Sequence, residues 1–323
     1  MSGRETDKIV IQTTSYSSSV LLFKLQSWLP FLVKAAKMST LVLGGFSTLL
    51  LLGIYHFQSH IIYPAGLNDG HGTVDTPDLY GMHDYEAIDL ETLDGETLKA
   101  FVVRQNPKAP NYSNKTVLVL CPNAGNIGHY LSIVKLFYAQ MNCNVFIYSY
   151  RGYGHSTGKA SEKGLKIDAD TVMKYISEDE QLCKSSMILY GRSLGGAVAI
   201  YIASNYPSLV HGIILENTFL SIRKVIPYIL PLLKPVSFMC HQIWDSESAI
   251  VKIPSNIPMC FMSAKKDEIV PPAHITSLYE LSKSEYKEWH EFPNSTHNDT
   301  VIQEEYWEKI ADFIRDKVAP YGR

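Results

Sequence analysis

Short apolar runs alternate with longer amphipathic stretches over most of the chain after residue 85. Five of these runs are almost continuously apolar: Thr116–Cys121, Asn144–Tyr148, Ser186–Tyr190, Gly212–Leu215 and Pro258–Ser263. The stretches with helical spacing cover roughly 127–141, 165–180, 194–206, 272–284 and 301–317. Continuous apolar strands separated by helices are typical of a mostly parallel sheet with helices on both faces. The pattern therefore predicts an α/β fold.

Two further strands precede this alternation, and one extended run follows it. Tyr85–Leu90 and Thr97–Arg104 flank an Asp-Gly pair, which predicts an antiparallel hairpin. Glu288–Phe292 is a final extended run ahead of the last helix. Parallel sheets place their chemistry in the loops at the carboxyl ends of the strands, so candidate residues are sought there.

The N-terminal region follows another pattern. No Asp, Glu, Lys or Arg occurs from Met38 to Ile62, and residues 41–54 read LVLGGFSTLLLLGI. About twenty such residues cross a hydrocarbon core of ~30 Å as a helix. We predict a transmembrane helix at 39–58. A cleaved signal peptide has a shorter apolar core nearer the first residue, and a soluble helix is not apolar all round.

Basic residues flank this segment on one side only. Five precede it (Arg4, Lys8, Lys24, Lys34 and Lys37), and the next lysine is Lys99. Because basic flanks stay in the cytoplasm, residues 1–38 are predicted to be cytoplasmic and the rest lumenal, a single-pass type II arrangement in an endomembrane such as the endoplasmic reticulum. Residues 18–37 are either a helix on the membrane surface or a disordered leader. Residues 59–84 are interpreted as a linker, and 85–323 as the domain.

Composition excludes several classes of protein. The chain is 46% hydrophobic and 19% charged, with net charge −3, which is ordinary for a globular protein and gives no sign of nucleic-acid binding. Its five cysteines contain no C-x-x-C pair, so we expect buried free thiols rather than a metal site or a disulfide framework. No metal or organic cofactor is expected.

The stretch Gly191–Gly195 reads GRSLG and matches G-x-S-x-G between a predicted strand and a predicted helix. A sharp strand-to-helix turn leaves no room for side chains beside it, and glycine removes the Cβ atoms that would collide. The middle residue is then exposed on a strained turn, the geometry of a nucleophile elbow. Ser193 is the candidate nucleophile.

A serine hydroxyl needs a base to take its proton, and an imidazole base needs a carboxylate to orient it. With this elbow the chain order is serine, acid, histidine. Asp267, just past the strand Pro258–Ser263, is the favoured acid, and Glu216, one strand earlier, is its rival. His297 lies in the polar loop before the last helix and is favoured as the base over His274 and His290.

Acyl transfer also needs two fixed N–H donors for the developing oxyanion. One is the N–H of Leu194, directly after the serine. The other comes from the loop after Thr116–Cys121. Pro122 has no N–H, so Asn123 is the favoured donor and Ala124 the alternative.

Several motifs together resemble those of membrane-anchored α/β-hydrolases, the fungal bud-emergence-type proteins and their animal abhydrolase-domain relatives. They are NAGNIGH at 123–129, RGYGHSTG at 151–158, SEKGL at 161–165, GRSLGG at 191–196, LENTF at 215–219 and THNDT at 296–300. The resemblance implies an α/β-hydrolase fold over about 85–317 and a triad of Ser193, Asp267 and His297. Animal members usually carry His-Gly where this chain has Cys121-Pro122.

The resemblance further implies a serine hydrolase with one N-terminal anchor, and sister groups remove palmitoyl chains from proteins. The proline-broken apolar segment 219–253, here called the lid, suits an acyl chain, although it could equally pack as ordinary core. We therefore expect ester or thioester hydrolysis through an acyl-serine, with acylated small molecules, lipids or proteins as substrates at a membrane. The alternatives are a peptidase of the prolyl-oligopeptidase type and a catalytically silent membrane scaffold.

Two minor features complete the pattern. Arg151 and the glycines after it form either a wall of the substrate pocket or, more in keeping with the residue types, a structural tie between loops. Sequons at Asn111, Asn114, Asn294 and Asn298 can carry glycans only on the lumenal side. We expect any glycan in the 111–114 loop, because one at 294 or 298 would crowd His297.

Overall fold

The computed structural model describes residues 18–319, with side chains from residue 26 onward, and it divides into a unit ending at His56 and a unit beginning at Phe57. Expectations about residues 1–17 lie outside the described residues. Helix α1, Ser18–Ile62, includes the whole predicted span and the stretch before it. Its large apolar side chains are exposed, among them Leu41 at 72% and Leu49 at 70%. Within the described range it is the one helix long and apolar enough to cross a bilayer.

The domain contains one sheet of eight strands in the order β1-β2-β4-β3-β5-β6-β7-β8. The strands are β1 Tyr85–Glu91, β2 Thr97–Val103, β3 Lys115–Leu120, β4 Asn144–Tyr148, β5 Ser186–Arg192, β6 Gly212–Glu216, β7 Met259–Ala264 and β8 Lys287–Phe292. The β1–β2 and β2–β4 pairs are antiparallel, and the pairs from β4 through β8 are parallel. The predicted hairpin and mostly parallel sheet are confirmed.

The core lies around the central strands. Every residue of β3 and β5 is buried, whereas the edge strands β1 and β8 are partly exposed. A strand buried along its whole length is covered on both faces, which explains why the central strands are continuous apolar runs. Helix α4, Leu194–Asn205, packs here with nine buried residues, most of them small or apolar.

The remaining helices are α2 Leu131–Lys135, α3 Glu162–Glu178, α5 Ile222–Ile229, α6 Ser246–Ile250, α7 Ala273–Leu281 and α8 Tyr306–Asp316. Two predicted helices differ in the structure. The stretch 127–141 is a 3₁₀ turn, α2 and a π turn in succession, and α8 begins five residues later than the predicted 301. The 3₁₀ turn that begins the stretch 127–141 is capped by Asn126, whose side chain accepts a hydrogen bond from the Gly128 N–H.

The segment 59–84, interpreted as a linker, contacts the domain at several points. Tyr63 is 3% exposed, and its hydroxyl accepts a hydrogen bond of 2.8 Å from Trp244 Nε1. The carbonyl of Leu67 accepts from the Gly125 N–H at 3.2 Å. Backbone groups and one aromatic side chain of this segment therefore have hydrogen-bond partners in the domain.

Candidate active site

The turn between β5 and α4 has the geometry that the sequence predicts. Ser193 has φ 52° and ψ −116°, in the left-handed half of conformational space. A Cβ on Gly191 would lie 2.4 Å from the carbonyl oxygen of Gly195, and a Cβ on Gly195 would lie 1.9 Å from that of Leu120. Both flanking positions therefore require glycine.

The backbone of Ser193 is fixed from both sides. Its N–H donates to the carbonyl of Glu216 at 2.9 Å, and its own carbonyl accepts from Thr218 Oγ1 at 2.8 Å. Glu216 is the last residue of β6, the neighbouring strand, and Thr218 lies two residues beyond it. A strained residue persists only where its surroundings hold it, and these two bonds do so.

The structure brings Ser193, His297 and Asp267 together. Ser193 Oγ lies 3.1 Å from His297 Nε2, and His297 Nδ1 lies 2.7 Å from Asp267 Oδ2. The serine and the histidine are separated by 104 residues in the chain. This is the arrangement of a nucleophile, a base and a carboxylate that orients the base. All three side chains are buried, with Ser193 7% and His297 4% exposed.

Asp267 is held by the loop that carries it. Its Oδ1 accepts the N–H groups of Ile269 at 2.9 Å and Val270 at 2.7 Å. Its Oδ2 is thereby directed towards the imidazole. The two backbone donors therefore fix the position of this carboxyl group beside His297.

The loop of His297 is tied to three other segments. The His297 N–H donates to Glu268 Oε2 at 3.1 Å, and its carbonyl accepts from Arg192 Nη2 and Asn217 Nδ2, both at 3.2 Å. The sequence reasoning missed these three partners. The available signals were the position of Arg192 inside the elbow motif and of Asn217 inside LENTF.

The rival acid has another role. Glu216 is fully buried, and its Oε2 accepts from the hydroxyls of Tyr190 and Tyr306, each at 2.7 Å. Its Oε1 lies 3.7 Å from Arg192 Nε. A buried carboxylate needs such partners, and here they place it among residues beneath the elbow, away from His297 Nδ1.

The rival histidines have other partners as well. His274 Nδ1 accepts from the Leu220 N–H at 3.3 Å, and burial lowers the pKa of His274. His290 Nε2 lies 3.3 Å from a carboxylate oxygen of Glu288 on β8. His297 is the histidine that contacts Ser193.

The predicted oxyanion donors are the N–H of Leu194 and an N–H in the loop after β3. Leu194 is the first residue of α4, so its N–H has no acceptor within the helix, and the helix dipole favours negative charge there. In the loop after β3, the N–H groups of Gly125 and Asn126 are used within the protein. Within residues 18–319 the N–H groups of Asn123 and Ala124 have no acceptor, so both predicted alternatives stay open.

Arg151 ties loops together, as the structural alternative predicts. Its Nε donates to Asp168 Oδ1 at 2.8 Å, and its two terminal nitrogens donate to Asp94 at 2.7 and 2.9 Å. The guanidinium therefore joins the β1–β2 turn, the loop after β4 and α3. Its hydrogen bonds lower the pKa of Asp94 below its ordinary value.

One side-chain cluster could hold a metal ion. Cys260, Glu288 and His290 on β7 and β8 each bring a ligand atom within 4.8 Å of the others. Burial raises the pKa of the Cys260 thiol, which favours its neutral form, and Glu288 is already paired with His290. The chemistry of the triad does not involve this cluster.

The fold and the site define an α/β-hydrolase. Residues 113–249 match the family model described as serine aminopeptidase, S33. A search of solved structures finds the same fold in an esterase of Pyrococcus furiosus, Pf2001, with a TM-score of 0.63 over 76% of this chain and 98% of that one, at 18% identity.

Relatives at higher identity define the family. The chain is 49% identical over 284 residues to the Saccharomyces cerevisiae protein named uncharacterized membrane protein YNL320W, covering 87% of this chain and 98% of that one. It is 43% identical over 272 residues to Schizosaccharomyces pombe protein bem46, covering 83% and 90%. The protein belongs to the α/β-hydrolase family that includes bem46.

Proposed function

We propose that the protein is a membrane-anchored serine hydrolase that cleaves an ester or thioester through an acyl-serine intermediate. The observation that carries this proposal is the chain of contacts from Ser193 Oγ to His297 Nε2 at 3.1 Å and from His297 Nδ1 to Asp267 Oδ2 at 2.7 Å. A hydroxyl, an imidazole and a carboxylate in this order form a nucleophile with its base.

In the first half-reaction, Ser193 Oγ bonds to the carbonyl carbon while His297 Nε2 takes the hydroxyl proton. The carbonyl π electrons move to oxygen, and the N–H groups of Leu194 and of Asn123 or Ala124 stabilise this oxyanion. The oxyanion then collapses, the bond to the leaving oxygen or sulfur breaks, and His297 gives its proton to that group. In the second half-reaction, water deprotonated by His297 attacks the acyl-serine, releases the acid and restores the serine.

The lid supports the proposed substrate class. Its first residue, Phe219, is buried and directly follows Thr218, which hydrogen-bonds to Ser193. Val225, in the middle of α5, is also buried. An apolar segment that begins next to the residue bonded to Ser193 favours an acyl chain as substrate, including a palmitoyl-type chain on a protein or lipid.

Membrane anchoring by α1 is part of the proposal. It is supported by the length and apolar character of that helix and by the yeast relative named as a membrane protein. The basic residues before the span favour a cytoplasmic N-terminus and a lumenal catalytic domain in an endomembrane.

A fluorophosphonate probe on the full-length protein tests the mechanism. We expect labelling of the wild type, none of Ser193→Ala, and normal labelling of the control Ser204→Ala. The hydroxyl of Ser204, a serine at the far end of α4, donates to the carbonyl of Tyr201 and accepts from Asn205 Nδ2. Folded wild-type protein that is not labelled would instead favour a catalytically silent scaffold.

A peptidase is the second candidate, because the matching family model is described as a serine aminopeptidase. Turnover of long-chain acyl thioesters, short esters and dipeptide amides by the wild type separates the two enzymes. We expect hydrolysis of the esters and thioesters. Faster cleavage of the amides would favour the peptidase.

A further inference from the structure

The lid contains a cluster of exposed apolar side chains within residues 228–238, here called the lid tip. Five large apolar side chains of the tip are 44–94% exposed: Tyr228, Ile229, Leu230, Leu232 and Phe238. Leu232 is 94% and Phe238 is 69% exposed. A contiguous apolar surface of this kind in a soluble domain marks an interface.

The charges around the tip favour a lipid surface. No acidic residue occurs between Glu216 and Asp245, whereas Arg223, Lys224 and Lys234 are basic. Lys234 is exposed and lies inside the tip itself. A basic residue among exposed apolar ones is the composition of segments that lie in the membrane interface, where the cation meets phosphate groups.

The tip is also tied to the end of the predicted membrane span. The side-chain oxygen of Gln58, the last residue of that span, accepts the N–H groups of His241 at 2.7 Å and Gln242 at 3.3 Å. Phe238 is three residues before His241, and three residues reach at most ~10 Å. Phe238 is therefore held within about 10 Å of the residue that Gln58 binds at the end of the predicted span.

The N-terminal end of the lid begins next to the nucleophile. Thr218 hydrogen-bonds to the carbonyl of Ser193 at 2.8 Å, and the Ile222 N–H donates to the Ile243 carbonyl at 2.9 Å, which closes the base of the lid. The ring of Tyr228 lies 5.8 Å from that of His274. One continuous element thus connects the apolar tip to the triad.

We propose that the lid tip docks on the lipid bilayer, with Leu232 and Phe238 among the acyl chains and Lys234 at the headgroups. Docking presents lipid-borne acyl groups to Ser193. The substrate class is then an acyl ester or thioester whose chain resides in the membrane, and this part of the inference rests on the proposed function.

Docking on the bilayer can be tested without an activity assay, by measuring fluorescence quenching. Cys183 is the native cysteine that is not fully buried, so it is first replaced by serine to prevent labelling there. An environment-sensitive fluorophore is then attached to a new cysteine, introduced as Leu232→Cys or as Leu93→Cys. Leu93 is the matched control, a leucine 97% exposed at the β1–β2 turn. Each full-length variant is reconstituted into phosphatidylcholine–phosphatidylserine vesicles with or without brominated lipid.

We expect brominated lipid to quench the fluorophore at position 232 at least twofold more than the one at position 93. Equal quenching at the two positions would overturn the proposal. So would efficient crosslinking between two copies through position 232, since that would identify a second chain as the occupant of the tip.

An activity ratio tests the delivery of substrate. For each variant the rate on a long-chain ester embedded in vesicles is divided by the rate on a water-soluble short ester. We expect this ratio to fall about tenfold in Leu232→Ser/Phe238→Ser and to stay at the wild-type value in Leu93→Ser. An unchanged ratio in the double variant overturns the delivery step. A wild type that hydrolyses neither ester refutes the proposed function, and the quenching experiment still decides the docking.

Discussion

Arg192 Nη2 lies 3.2 Å from the carbonyl oxygen of His297 and 2.6 Å from Asn298 Oδ1. The residue beside the nucleophile thus holds the loop of the base. Arg192 also lies 3.7 Å from the buried carboxylate of Glu216, so its charge is balanced beneath the elbow. Arg192 is a positioning residue, because it acts on His297 through the backbone and does not contact Ser193 Oγ.

Replacing Arg192 by lysine tests this role. Lysine keeps a positive charge near Glu216 but lacks the planar fork that reaches the His297 loop. We expect kcat to fall about tenfold with KM unchanged, because the base is less well held at the nucleophile. The measurement is steady-state ester hydrolysis. Arg104→Lys, at an arginine that pairs with Asp179, is the control and should keep wild-type kcat. Equal effects of the two changes would contradict the role of Arg192.

Replacing Asp267 by asparagine separates orientation from folding. The amide oxygen can still accept the N–H groups of Ile269 and Val270, so the loop should keep its shape. We expect kcat to fall by about a thousandfold or more, because His297 loses the anion that orients it and stabilises its protonated form. Hydrolysis rates and the thermal unfolding midpoint are the measurements. Asp245→Asn changes a carboxylate that caps α6 and should keep activity. Full activity in Asp267→Asn would refute the triad.

The elbow glycines should tolerate no larger side chain. A Cβ at position 195 would lie 1.9 Å from the Leu120 carbonyl oxygen. That oxygen belongs to the backbone of a buried strand, which cannot move aside as the end of a flexible side chain can. We expect Gly195→Ala to destabilise the domain by more than about 4 kcal/mol. Yield of folded protein and resistance to proteolysis measure this. Gly53→Ala in α1 meets nothing within 4 Å and should not reduce the yield. A stable Gly195→Ala protein would contradict the close approach of β3 to the elbow.

The pair of Asp94 and Arg151 predicts a pH-dependent contribution to stability. Hydrogen bonds from Arg151 lower the folded-state pKa of Asp94 below the unfolded value of 3.8. The contribution is therefore complete above that value and is lost as the pH falls through the folded-state pKa. At pH 7, Asp94→Asn should cost about 1 kcal/mol, since the Asp94 side chain is 41% exposed and partly screened.

Thermal unfolding of the wild type and Asp94→Asn between pH 7 and pH 2 checks this dependence. The difference between their midpoints should shrink below pH 4, where Asp94 becomes protonated in the unfolded wild type while it stays ionised in the folded protein. Asp89→Asn, in an exposed pair with Lys99, should change the midpoint less at every pH. A difference that stays constant to pH 2 would contradict the ionic origin of the effect.

Glycosylation checks the lumenal orientation. The side chains of Asn111 and Asn298 are both exposed, but Asn111 Nδ2 donates to the surface residue Asn142, whereas Asn298 Oδ1 accepts from Arg192 beside the His297 loop. We expect full-length protein from a eukaryotic host to shift on glycosidase treatment, and Asn111→Gln to remove most of that shift. Asn294→Gln should leave the shift unchanged. Protein that never shifts, and whose domain is digested by protease added to intact microsomes, would place the domain on the cytoplasmic side.

The strands and the elbow could be predicted from the sequence because their signals are local. A buried strand such as Asn144–Tyr148 is a continuous apolar run, and the elbow needs glycine within two residues on either side of the serine. The break of the predicted helix 127–141 into three pieces escaped this reasoning. The break depends on the cap formed by Asn126 and on packing against the rest of the domain. The spacing of apolar residues carries no information about either.

The sequence by itself determined the succession of strands and helices along the chain, the apolar N-terminal helix and the residue types of the triad. Each of these follows from the spacing of residues along the chain. Only the tertiary structure decided that Asp267, not Glu216, contacts the histidine, and that Arg192 and Asn217 hold the His297 loop from positions 105 and 80 residues away. The physical reason is that a hydrogen bond depends on distance and direction in space, and the parallel sheet brings these strand ends together at one edge.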